Sequence, residues 1–198
     1  MKRLATFCAG VIFTLAAVAG LGACSTTSVT EYQGMEPELK LEEDFVGQHK
    51  AHGFFRDRFG KVRRSFVVDI EGRWEPADNR LTLREDFVYE DDSTETRIWV
   101  LTKTGENTWE GSADGVVGTA TGETSGNAFN WRYTFDLPQG DGKTLRVKFD
   151  DWMYLMPDNI LLNTATISKF GVELGEVVIS FQPVPTTEAQ TEYPAAAE

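Results

Sequence analysis

The amino-acid sequence predicts an all-β domain, an antiparallel up-and-down meander of eight to ten strands that closes into a lipocalin/calycin-like barrel. Three observations predict it. Apolar and polar residues alternate with period two across most of residues 35–183, which is the pattern of strands with one buried face. Clusters of Gly, Asn, Asp and Pro interrupt the alternation at short intervals, and Gly, Asn and Asp tolerate the positive φ that hairpin turns demand. No apolar stripe of helical period runs for a useful length, although the stretch Glu38–Phe45 has room for one short helical turn.

The predicted strands cover 48–57, 61–74, 80–90, 94–104, 108–113, 116–124, 127–137, 143–155, 159–169 and 172–182. Asp57-Arg58-Phe59-Gly60, Pro76-Ala77-Asp78-Asn79, Asp91-Asp92-Ser93 and Gly105-Glu106-Asn107 separate the early ones. Ser125-Gly126-Asn127, Gln139-Gly140-Asp141-Gly142, Pro157-Asp158-Asn159 and Phe170-Gly171 divide the later ones. Turns this short join sequence neighbours in antiparallel pairs. A long meander must bury one face and hide its edges, and closure does both. A two-sheet sandwich uses the same strands and is the alternative. A barrel of this size has room for a small apolar ligand.

The region before the domain has a different character. Lys2 and Arg3 precede an uncharged stretch from Leu4 to Ala23 that includes Phe7, Val11, Ile12, Phe13, Leu15, Val18 and Leu21. This is the layout of a secretory signal, spanning residues 1–23. Leu21-Gly22-Ala23-Cys24 resembles the bacterial lipobox, which implies cleavage before Cys24 and three acyl chains on the mature N-terminus. Each buried CH₂ contributes roughly 0.8 kcal/mol, so several chains anchor stably where one does not. An uncleaved membrane-spanning helix is the competing reading. The stretch is just long enough, but its many Gly and Ala residues and the placing of Cys24 favour cleavage. Ser25, by the same resemblance, points to the outer membrane, with the periplasmic face favoured. Residues 24–34 then read as a lipidated polar tether, 35–183 as the barrel domain and 184–198 as a flexible tail.

Charge and cysteine content exclude several functions. The formal net charge is −12, and loss of Lys2 and Arg3 with the signal takes it to −14. Such a chain is repelled by phosphate backbones, so nucleic acid is not an expected partner. Cys8 leaves with the signal and Cys24 is acylated, leaving no thiol for catalysis, disulfide or zinc. The domain therefore relies on an ordinary core and is expected to be a monomer.

Tyr32-Gln33-Gly34-Met35-Glu36-Pro37, Gly126-Asn127-Ala128-Phe129-Asn130-Trp131-Arg132-Tyr133, Phe149-Asp150-Asp151-Trp152-Met153-Tyr154 and Ile167-Ser168-Lys169-Phe170-Gly171 together resemble a family of proteobacterial lipoproteins, the domain of unknown function 3833. The resemblance covers about residues 32–182. It implies a lipoprotein, brings no catalytic residues to carry over, and leans toward lipid chemistry.

Candidate site residues follow from the strand pattern. His49 and His52 are the only histidines and fall on opposite faces of one strand, so they do not share a metal. No metal or cofactor is expected. No Gly-x-Ser-x-Gly, phosphate loop or dinucleotide fingerprint is present. Charges on apolar faces are more informative. Arg64 shares a face with Val62, Phe66, Val68, Ile70 and Trp74; Glu85 with Leu81, Leu83, Phe87 and Tyr89; Asp151 with Leu145, Val147, Phe149, Met153 and Leu155. If those faces point inward, each charge needs a partner or water, because a lone buried charge costs several kcal/mol.

Trp131, Tyr133 and Phe149 are candidates for the apolar wall of a ligand cavity, against the simpler reading as core. Arg64, Glu85 and Asp151 are candidates for its polar end, against a sealed salt-bridge cluster. Three functions result. The first is a membrane-anchored protein that binds or carries a small hydrophobic molecule such as a fatty acid or lipid, with Arg64 facing a carboxylate head group. The second is an enzyme on a lipid-like substrate, with Glu85 or Asp151 as acid or base. The third is an envelope interaction protein with a filled core.

Overall fold

The computed structural model describes residues 27–139 and 142–185. Cys24, the signal segment and most of the tail lie outside the described residues. Ten strands alternate along the chain: β1 (Gly47–Asp57), β2 (Val62–Glu75), β3 (Arg80–Tyr89), β4 (Thr94–Lys103), β5 (Thr108–Ser112), β6 (Val116–Ser125), β7 (Ala128–Pro138), β8 (Thr144–Met156), β9 (Ile160–Lys169) and β10 (Val172–Pro183). Every sequence neighbour pairs antiparallel, and β1 pairs with β10 from His49 opposite Pro183 to Asp57 opposite Gly175. The result is a closed up-and-down barrel, as the alternation and turns predict; the sandwich is excluded by that last pairing. Closure leaves no sheet edge unpaired.

Strand periodicity divides the wall into two faces. Ala51, Val68, Ile70, Leu81, Leu83, Leu101, Trp109, Trp131, Leu155, Leu161 and Phe181 point inward and form one buried cluster. Leu39, Leu41 and Phe45 join it from outside the sheet. They belong to the segment before β1, which contains the short helix α1 (Leu41–Asp44) and lies across one end of the barrel. Its placing is fixed at several points. The Leu39 amide donates to the Gly126 carbonyl at 2.9 Å. Lys103 pairs with Glu42. The Phe45 carbonyl rests against Gly72 so closely that no Cβ fits between them. This end is therefore plugged.

At the other end only hairpin turns stand among the described residues. The inward side chains there are less enclosed: Phe55, Phe66, Tyr89, Leu137, Leu145 and Phe149 are half-buried, whereas those of the plugged half are almost all buried. A second, smaller cluster of Phe135, Val147 and Ile167 lines this half.

The start of the described chain differs from the flexible spacer that its polar composition suggests. Val29–Tyr32 forms a 3-10 turn capped by the Ser28 side chain, with Glu31 closing the capping box. Tyr32 packs at a tilt against Trp152 and Tyr154 of the outer wall, with centroids 5.8 and 5.3 Å away, and its hydroxyl lies 3.2 Å from that of Tyr154. Aromatic packing of this kind offsets the entropy of ordering a polar segment.

Candidate functional site: a polar ladder in the lumen

The inward rows of β2, β3, β4, β7, β8 and β9 are not wholly apolar. Glu85 faces inward on β3, opposite Ile70 and Arg97. Asp151 faces inward on β8, opposite Trp131 and Ala165. Between them stand Arg97 of β4 and Tyr133 of β7, and Asn163 of β9 lies beside Asp151. The polar groups form a ladder that climbs from the middle of the lumen to the open rim.

Its upper rungs have defined contacts. The Arg97 guanidinium donates to Glu95 at 2.6 Å, and the Tyr89 hydroxyl donates to the same carboxylate at 2.7 Å. The Arg64 guanidinium lies over the Tyr89 ring, 3.4 Å from its centroid, and donates to the Ser93 hydroxyl at 2.8 Å. Arg97 is itself held between the rings of Phe87 and Phe135, at 5.1 and 5.4 Å. Cation–π contact of this sort favours a guanidinium over an ammonium, because the flat group is weakly hydrated. The Arg97 side chain keeps 23% of its surface accessible. Because it faces inward, that surface borders the lumen.

Enclosure shifts the titration of these groups. Burial raises the Glu85 carboxyl to about 7, against the opposing pull of Arg97 and with the help of Glu95. Burial also raises Asp151 to about 7; Tyr133 and Asn163 draw it down, and the charge of Glu85 pushes it up. Burial disfavours a charged Arg97, but Glu85 and Glu95 outweigh that and hold its pKa above the usual value. Tyr133 is raised well above an ordinary phenol by burial first and the nearby Asp151 second. Two carboxyls near neutrality beside one guanidinium share protons as a coupled pair. Asp151 is 6% exposed, and its Oδ1 has no hydrogen-bond partner among the described residues.

Below the ladder the aromatic groups pack closely. Tyr133 and Phe149 stack at 4.8 Å, and Trp99 meets Tyr133 at 5.1 Å and Trp131 at 5.8 Å, edge to face. A side chain at Gly111 or Gly122 would collide with the Trp131 indole. Trp131 thus belongs to the core of the plugged half, while Tyr133 and Phe149 border the more open half.

The structure brings Glu85, Tyr133, Phe149 and Asp151 together in mid-lumen. It places Arg64 apart from them, at the rim, half-exposed and engaged by Tyr89, Ser93 and Asp91. The guanidinium of the lumen is instead Arg97, which sequence reasoning missed along with Glu95, Tyr89 and Asn163. Arg97 and Glu95 do share a face with Trp99 and Leu101, the same signal that singled out Glu85. Ile98 and Val100 make the opposite face equally apolar, so alternation alone did not say which side was inward. The predicted lipid attachment residue, Cys24, is outside the described residues.

Two concavities lie elsewhere. A groove of about 390 Å³ runs between Thr27–Val29 and the outer wall at Glu110, Thr121 and Arg132. A pocket of about 220 Å³ at the plugged end is lined by Phe45, His49, Leu155 and Phe181. Neither is lined by the six predicted ligand residues. His49 points inward and His52 outward, as the strand period requires. Among the described residues no group of three or more His, Cys, Asp or Glu could hold a metal ion, and no helix is long and apolar enough to cross a membrane.

No curated protein matches the chain. The sequence profile of one family matches residues 18–183, most of the chain, and the protein belongs to that family, described as protein of unknown function (DUF3833).

Proposed function

We propose that the protein is a lipoprotein, anchored through Cys24 to the outer membrane, whose barrel binds or carries a small hydrophobic molecule such as a fatty acid or lipid. The observation that carries the ligand reading is the unequal lumen. One half is plugged and packed; the other keeps half-buried inward rings that lead down to Arg97, Glu85 and Asp151. In this reading Phe55, Phe66 and Phe149 would border the apolar chain of the ligand, and its polar end would meet the ladder. Apolar walls with a few convergent polar groups are the usual make-up of ligand sites. The lipobox-like Leu21-Gly22-Ala23-Cys24 supports the anchor.

The test uses protein that begins at Ser25. Native mass spectrometry after mild extraction should show a co-purifying lipid, and a fatty acid should shift the fluorescence of Trp99 and Trp131 saturably. Absence of both overturns the ligand reading. For the anchor, Cys24→Ser should release the protein from membranes; tight retention of the processed variant would refute it.

A second reading has its own support. Two enclosed carboxyls held at about 7 suit acid/base chemistry on a lipid-like substrate. Asp151→Asn would then abolish turnover and leave binding intact, and unchanged turnover would exclude it.

A further inference from the structure

We infer that the open end of the barrel docks on an anionic lipid bilayer through the neighbouring hairpin turns that carry Phe59 and Phe170. Phe59 is 80% exposed and Phe170 95% exposed, and Val62 and Val172 beside them are exposed too. The turns are adjacent because β1 pairs with β10, and the Arg58 amide donates to the Leu174 carbonyl at 3.0 Å. Four large apolar side chains thus project into water from one corner of the rim.

Phe170 has no local reason to be where it is. It occupies a two-residue hairpin turn with φ 52°, followed by Gly171 with φ 78°. A turn with positive φ at both positions favours Asn-Gly, and a bulky side chain rarely adopts that backbone. The ring contributes no burial in return. Its use therefore lies outside the folded domain.

The charges around the tips select the surface. The full chain has a net charge of −12, yet this corner is cationic. Arg63 is paired with Asp57 and Arg56 with Glu176. Arg58 and Lys169 lie against the Phe59 and Phe170 rings, 4.9 and 5.4 Å from their centroids. Arg58, Lys61 and Lys169 have no carboxylate partner among the described residues; Glu173 is the nearby acid left over. The acidic turn at Glu90, Asp91 and Asp92, between β3 and β4, is the next hairpin along the rim on the β2 side, where Arg64 pairs with Asp91; the cations Arg58, Lys61 and Lys169 sit on the two turns that carry the rings. Aromatic tips flanked by cations match the boundary between headgroups and acyl chains, where rings enter the apolar layer and cations meet lipid phosphates. This contact is separate from the N-terminal end of the described chain, since Thr27–Val29 lie against the wall beside β5, β6 and β7.

Docking does not depend on a lumen ligand, because a filled barrel would dock equally. It is tested by co-sedimentation of the anchor-free protein with vesicles of phosphatidylcholine and phosphatidylglycerol at about two to one, and with phosphatidylcholine alone. The wild-type protein should partition preferentially to the anionic vesicles, and less so as salt rises. Phe59→Ser combined with Phe170→Asn should weaken partition about tenfold or more. Lys61→Glu combined with Lys169→Glu should erase the anionic preference. Phe170→Asn alone should raise Tm by about 2–4 °C, because Asn suits the turn. No partition of wild type, equal partition of the tip variant, or an anionic preference that survives charge reversal would overturn the inference. A fall in Tm for Phe170→Asn would show that the ring serves the fold instead.

Discussion

Replacing Asp151 by Asn removes one ionisable group from the lumen and leaves its shape nearly unchanged. The consequence follows from the raised pKa. The carboxyl titrates at about 7 in the fold against a free value of 3.8. Below the free value both states are protonated and the group adds no pH dependence. As pH rises from there, the unfolded chain loses the proton first, so folded stability falls by about 1.4 kcal/mol per pH unit until the folded carboxyl also ionises. Across that window the loss reaches about 4 kcal/mol, and it is complete at roughly pH 7 to 8. Glu85 acts in the same direction between its free value of 4.5 and about 7. The pair is coupled, and Arg97 stabilises whichever anion forms first, so Asp151→Asn should recover about 2–4 kcal/mol at pH 8 and almost nothing at pH 4. Urea unfolding followed by tryptophan fluorescence measures this directly. With an m-value of about 2 kcal/mol/M, the variant's midpoint at pH 8 should exceed that of wild type by about 1–2 M. Parallel stability–pH curves for the two proteins, or a less stable variant at pH 8, would refute an enclosed and raised Asp151.

Other substitutions probe the plug and the ladder. Arg97→Leu leaves Glu85 and Glu95 without their guanidinium and should cost about 3 kcal/mol at pH 8, less at pH 5 as the carboxyls protonate; denaturant midpoints at the two pH values decide it. Gly72→Ala places a methyl group against the Phe45 carbonyl and should lower stability by at least about 2 kcal/mol, with faster hydrogen exchange in residues 39–46. Leu41→Ala empties a fully buried position in the plug and should cost about 2–5 kcal/mol by urea unfolding. By contrast, removing the half-exposed Lys40–Glu43 pair should change stability by less than about 1 kcal/mol.

The strands, their order and the residues that share a face are legible in the chain before it folds. Leu81, Leu83, Glu85, Phe87 and Tyr89 had to lie on one side of β3, because side chains alternate with period two. The short turns had to join neighbours antiparallel, because Asn, Asp and Gly permit tight reversals. Glu85 and Asp151 were visible as charges on apolar faces for the same reason. Closure was another matter. Pairing of β1 with β10 joins His49 to Pro183, and no local pattern states whether the first strand meets the last or the sheet folds into a sandwich.

Which guanidinium lies in the lumen depends on the folded barrel. Arg64 and Arg97 both sit on inward rows, but Arg64 is near the rim, where solvent, Ser93 and Asp91 take it, while Arg97 is held between Phe87 and Phe135. The plug was equally illegible: the helix α1 has four residues, and its position depends on contacts with Gly72, Lys103 and Gly126. The polar stretch at Thr27–Gly34 reads as a spacer from its composition, yet Tyr32 finds Trp152 and Tyr154 on a wall more than 100 residues away. Alternation assigns a side chain to a face. Depth along the barrel, and the partner met there, depend on registers and closures that link distant parts of the chain.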